Sequence, residues 1–123
     1  MKKIAMLCCA LAALCFVSMA VVAEDKGSEP TELELTGEAV DISCYLTGKS
    51  GEAHAGCATT CVSGGKPIGF VIEKEGKSIL LFVMDGDKPA KDILGPHMGK
   101  QITVKGTYQE KEGMKILQVK EVV

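Results

Sequence analysis

The alternation of apolar residues, with one change of phase, is the feature that most limits what this chain can fold into. Leu33, Leu35, Gly37 and Ala39 occupy every second position, and then Val40, Ile42, Cys44 and Leu46 continue the alternation one residue out of step. A period of two belongs to a strand. A one-residue slip beside a glycine marks a bulge and a bend. One long strand is therefore expected from about Glu32 to Leu46, bending near Gly37 to Val40. On that reading Cys44 lies on the buried face with Val40 and Ile42. Asp41 and Tyr45, at odd offsets, point to the other face.

The remaining elements follow from the same kind of signal. Pro67 to Ile72 is a second strand, Glu73 to Lys77 a turn, and Ser78 to Met84 a third strand closing a hairpin. The continuous apolar run Ile79-Leu80-Leu81-Phe82-Val83-Met84 predicts burial on both faces of the third strand. Pro89 to Leu94 reads as a short helix, stopped by Gly95-Pro96. Gln101 to Tyr108 alternates cleanly as a fourth strand, Glu110 to Gly113 turns the chain, and Met114 to Val123 is the fifth. This order predicts an all-β domain with a short helix, a five-stranded Greek-key barrel of the OB type. Thr47 to Lys66, rich in Gly and Ser, becomes a loop-helix insertion after strand 1 that carries cysteines and a histidine.

The N-terminus bears on which cysteines matter. Met1-Lys2-Lys3 is basic, Ile4 to Val22 is apolar apart from Ser18, and Val21-Val22-Ala23 precedes the polar Glu24-Asp25-Lys26. That is the pattern of a secretory signal peptide at residues 1–23, cut after Ala23. Residues 24–31 are then a flexible leader and 32–123 a single domain, located in the periplasm or secreted, with no stable membrane span after cleavage. Cleavage leaves 100 of the 123 residues and takes the formal charge from −2 to −4. The chain has no arginine and the processed part has no tryptophan. Guanidinium forks and stacking surfaces are what nucleic-acid sites rely on, so nucleic acid is set aside as a partner. Cys8, Cys9 and Cys15 leave with the signal, so Cys44, Cys57 and Cys61 remain. An odd number in an exported chain cannot form a closed disulfide framework.

His54, Cys57 and Cys61 are spaced i, i+3 and i+7. A short helix over Glu52 to Val62 would bring them within about 60° of one another on one face. With Cys44 at the strand end, a Cys3His metal set of Cys44, His54, Cys57 and Cys61 is expected. Such a set suits zinc or copper(I). The main functional expectation is an exported metal-binding module, with a metal ion as partner and another exported protein as the second partner class. Two alternatives stand beside it. One is a thiol–disulfide protein using Cys57 and Cys61 with Cys44 as resolving partner. The other is a small binding barrel whose cysteines staple a loop. No catalytic residues are assigned. His97-Met98, before the fourth strand, reads as a loop with Met98 on the core.

Two stretches also carry a resemblance. Gly99 to Thr107, closing in Lys115 to Val119, resembles the last two strands of small exported bacterial OB-like proteins. Gly37 to Asp41 through Cys44-Tyr45, His54-Ala55-Gly56-Cys57-Ala58-Thr59-Thr60-Cys61, and Gly64 to Gly69 are similar to a group of secreted bacterial proteins. The resemblance implies the barrel and a shared Cys…His-x2-Cys-x3-Cys motif, and it supplies no reaction.

Overall fold

A computed structural model describes residues 27–123. The expected signal peptide therefore lies outside the described residues. The strands are β1 (Thr31–Asp41), β2 (Ile68–Lys74), β3 (Lys77–Asp85), a two-residue β4 (Lys88–Pro89), β5 (Gln101–Lys111) and β6 (Met114–Val122). The helices are α1 (Ile42–Leu46), α2 (Ala55–Ser63) and α3 (Lys91–Leu94), with 3-10 turns at Glu52–His54 and Gly95–His97.

β1 makes closure possible because it changes partner along its length. Thr31 to Glu38 pair antiparallel with β5, and Glu38 to Asp41 pair with β2, so Glu38 belongs to both ladders. The exchange falls where the apolar phase switches, as expected of a bent strand. β2 pairs with β3, β5 with β6, and β3 meets β6 in parallel through Phe82–Ile116 to Met84–Gln118. The ring β1-β2-β3-β6-β5 is thus a closed five-stranded barrel, with α1 and α2 inserted after β1 and α3 between β3 and β5. The barrel is less tightly closed at one end, where Thr31 to Gly37 of β1 pair with β5 alone.

Phe70, Leu81, Val83, Val104, Leu117 and Val119 fill the interior, and α2 and α3 add Ala58, Val62 and Leu94 to it. Met98 is buried in the same core, as its sequence position predicted. β3 departs from expectation. Only Leu81 and Val83 are buried, while Ile79, Leu80, Phe82 and Met84 are half-buried. One face of β3 meets the packed interior and the other is covered only in part. No helix among the described residues is long and apolar enough to cross a membrane.

β5 and β6 approach closely at Gly106. A register shift between Lys105 and Gly106 leaves Lys120 as the extra residue of a bulge. A Cβ at Gly106 would sit 2.3 Å from the Gln118 carbonyl oxygen. Gly106→Ala is therefore expected to cost about 1–3 kcal/mol through forced backbone movement. Urea unfolding would measure it, and a midpoint equal to wild type would contradict this account of the bulge.

Candidate functional site

Asp41 ends β1 and begins α1. Its backbone is extended, and its Oδ1 accepts the Ser43 N–H at 2.8 Å. This is the capping geometry that aspartate favours at a helix start. The Ile42 N–H donates to the Pro67 carbonyl at 3.2 Å, which ties the turn to the entrance of β2. The chain therefore leaves the sheet at Ile42, and Cys44 lies in a helical turn. The expected strand through Leu46 is corrected here, and the 73% exposure of Leu46 reflects the change. Residues three positions apart on a helical turn share a side, so Cys44 swings back over Asp41. Its Sγ donates to Asp41 Oδ2 at 3.6 Å. Asp41 was expected on the opposite face from Cys44 and instead touches it. The strand offset that separated them stops applying where the strand stops.

The second half of the site comes from α2. The Gly51 N–H donates to the Glu38 carboxylate, and the Gly99 N–H donates to the Ala39 carbonyl at 2.8 Å. Gly99 has φ +73°, and a Cβ there would lie 2.6 Å from the Gly51 carbonyl oxygen and 3.0 Å from Ala55 Cβ. The start of the insertion rests directly on this glycine. Ala58 and Val62, one turn apart, turn into the core. Cys57 and Cys61 precede them by one residue each, so they form the neighbouring stripe about 100° round the helix.

That stripe meets α1. The Sγ atoms of Cys44, Cys57 and Cys61 lie within 4.8 Å of one another. All three are free thiols; Cys44 and Cys61 are half-buried and Cys57 is exposed. The backbone behind them is held at both helix ends. The Cys44 carbonyl accepts from the Thr47 and Lys49 N–H groups, each at 3.0 Å, and the Cys61 carbonyl from Gly64 and Lys66, each at 3.1 Å.

Asp41 sets the electrostatics. It is the one buried charged residue among those described, 1% exposed. Burial alone would raise its carboxyl. The Ser43 and Cys44 N–H groups and the Cys61 and Cys44 thiols outweigh that and hold it below the usual aspartate value. The thiols feel the reverse. Burial, the Asp41 charge and the neighbouring Cys57 push Cys44 up. Burial, the hydrogen bond to Asp41 and Cys57 push Cys61 up to about 11. A fixed anion beside a thiol disfavours a second negative charge there.

The expected Cys3His set is not what forms. The cluster contains the three cysteines and no histidine. His54 is the residue before α2, with φ −111° and ψ 5°, and the i, i+3, i+7 argument requires it to be inside the helix. It borders a narrow crevice with Glu38, Asp41 and Cys44 but stands apart from the thiol group. Tyr45 is half-buried and His97 half-exposed, and neither joins the cluster. Three convergent thiols remain a set that can coordinate a metal ion.

No family model, curated protein or solved structure matches the chain. The expected resemblance to secreted OB-like proteins with a Cys…His-x2-Cys-x3-Cys motif does not hold. The barrel and three of the motif's residues come together, and the histidine does not.

Asp41→Ala removes the α1 cap and is expected to cost about 1 kcal/mol or somewhat more, whereas Asp41→Asn, itself a good cap, costs less. The depressed Asp41 carboxyl contributes stability above the unfolded aspartate value. That contribution disappears as pH falls through the lower folded value. The gap in urea midpoint between wild type and Asp41→Ala should therefore shrink below about pH 4. A gap that widened in acid would contradict the assigned role.

Proposed function

We propose that this protein is an exported small barrel whose three cysteines act as a redox-dependent staple for the α1–α2 insertion. The observation that carries this reading is the convergence of three Sγ atoms within 4.8 Å from two separate helices. Sulfurs this close allow one disulfide among the three, and one cysteine then remains a thiol. A bridge between Cys44 and either cysteine of α2 joins the two helices covalently. A bridge between Cys57 and Cys61 stays within α2, and its i, i+4 spacing falls inside the disulfide range.

The exchange chemistry follows from exposure. Cys57, the exposed thiol, deprotonates and attacks a partner disulfide, forming a mixed disulfide and expelling one partner thiolate. Cys44 or Cys61 then attacks the Cys57 sulfur, expels the second partner thiolate, and leaves an internal disulfide. The partner is reduced by two electrons and the centre oxidised by two. The raised thiols of Cys44 and Cys61 make poor leaving groups, which slows reopening of their bridge to Cys57 by attack on the exposed Cys57 sulfur. This supports a staple over a strongly oxidising exchange protein. In the reduced state the same thiols are a metal-competent set, for which zinc and copper(I) are the matching ions.

Reduced protein in its processed form, treated with oxidised glutathione and analysed by peptide mass mapping, tests the proposal. The expected product has one internal disulfide and one thiol, with glutathione trapped first on Cys57. Cys57→Ser should slow the reaction about tenfold or more, because the remaining thiols are shielded and protonated. Three thiols persisting, or three glutathione adducts with no internal bridge, would overturn it.

A further inference from the structure

The geometry points to Asp41 as the fourth ligand of a divalent-cation site completed by Cys44, Cys57 and Cys61. The inference concerns the reduced state of the three-thiol centre proposed above and does not depend on the staple forming.

A carboxylate 1% exposed needs compensation from its surroundings. Oδ1 has the Ser43 N–H. Oδ2 is turned toward the thiol group and accepts from Cys44 Sγ at 3.6 Å. Thiols are weak donors. A hard anionic oxygen directed at a thiol sulfur of the cluster is better matched by a cation shared with that cluster.

The distances agree with that. Zinc sits about 2.3 Å from thiolate sulfur and about 2.0–2.2 Å from carboxylate oxygen in tetrahedral sites, so the O···S edge is about 3.6 Å and the S···S edge about 3.8 Å. The Asp41–Cys44 contact already has the first length, at 3.6 Å; Asp41 stands outside the group of mutually close ligand atoms, so its carboxylate and the other two thiols draw together as the ion enters. The thiols, within 4.8 Å of one another, reach the second by closing about 1 Å or less. Asp41 is held by the end of β1 and by its cap, and the Cys44 and Cys61 backbones by the hydrogen bonds at their carbonyls. Cys57 lies on the exposed side and offers the route of entry.

The ligand set also selects the ion. Three thiolates with one carboxylate oxygen suit zinc, whereas copper(I) gains little from a hard oxygen. Four negative groups in one place need a divalent cation to offset their repulsion. Binding releases three thiol protons to solvent, and the carboxylate is already ionised. His54 has no part in the site.

The test titrates reduced, processed protein with zinc against a chromophoric chelator, and with cobalt(II) followed by absorption. Wild type should take one ion, with charge-transfer intensity for three thiolates and visible bands of a tetrahedral centre. Asp41→Asn should bind about tenfold or more weakly with the thiolate intensity retained and the visible bands altered, while His54→Ala stays within about twofold of wild type. Asn keeps a capping oxygen, and urea unfolding of the metal-free variant reports its fold. If that variant does not fold, Asp41→Ser, which also caps, replaces it with the same expectation. Asp41→Asn matching wild type in affinity and spectrum, His54→Ala weakening as much as Asp41→Asn, or a wild type that takes up no ion would each overturn the assignment. The glutathione experiment fails or succeeds separately. A protein that binds metal through Asp41 but forms no disulfide keeps this site and loses the staple.

Discussion

The contact between the Asp41 carboxylate and the thiols beside it is the constraint on which the site depends. Asp41 is the last residue of β1, the cap of α1 and the neighbour of Cys44 and Cys61 at once. These roles reinforce one another. The cap turns the chain out of the sheet, the turn carries Cys44 back over the carboxylate, and the carboxylate keeps the thiols from ionising freely. Removing one role disturbs the others, because a buried carboxylate without its donors is a costly group.

The barrel supplies the fixed ground for that contact. β1 exchanges β5 for β2 at Glu38, three residues before Asp41, so the site sits just past that change of partner. The insertion that follows buries little of its own, apart from Ala58 and Val62. It is held instead by the Gly51 N–H on the Glu38 carboxylate, by the Ile42 N–H on the Pro67 carbonyl and by the close approach of Gly51 and Ala55 to Gly99. A segment anchored at a few points gains most from a cross-link: a disulfide restrains the unfolded chain across the insertion, and an ion binds only the folded arrangement.

Much of the fold was legible because strands announce themselves by period. The phase switch at Gly37 to Val40 located the bend, and the two hairpins and the short helix before β5 followed from turn chemistry. Period alone could not find the end of β1. Ile42, Cys44 and Leu46 continue the alternation, yet an aspartate followed two residues later by an available N–H caps a helix there. The signal was present in Asp41-Ile42-Ser43, but it competed with a longer apolar pattern. The same error hid Asp41 from the site, since strand geometry put it on the wrong face. His54 failed for the opposite reason. Its spacing to Cys57 suits a helix, but Gly51 and the 3-10 turn Glu52–His54 delay the helix until Ala55. The three cysteines were legible because two share a helical stripe and the third had only to be near.

Zinc K-edge X-ray absorption on the reduced, metal-loaded protein tests most directly whether these four side chains form one centre. The account expects three sulfur atoms at about 2.3 Å and one oxygen at about 2.0–2.2 Å, with the oxygen contribution lost or changed in Asp41→Asn. Imidazole scattering from a bound histidine, or a shell with fewer than three sulfurs, would contradict it.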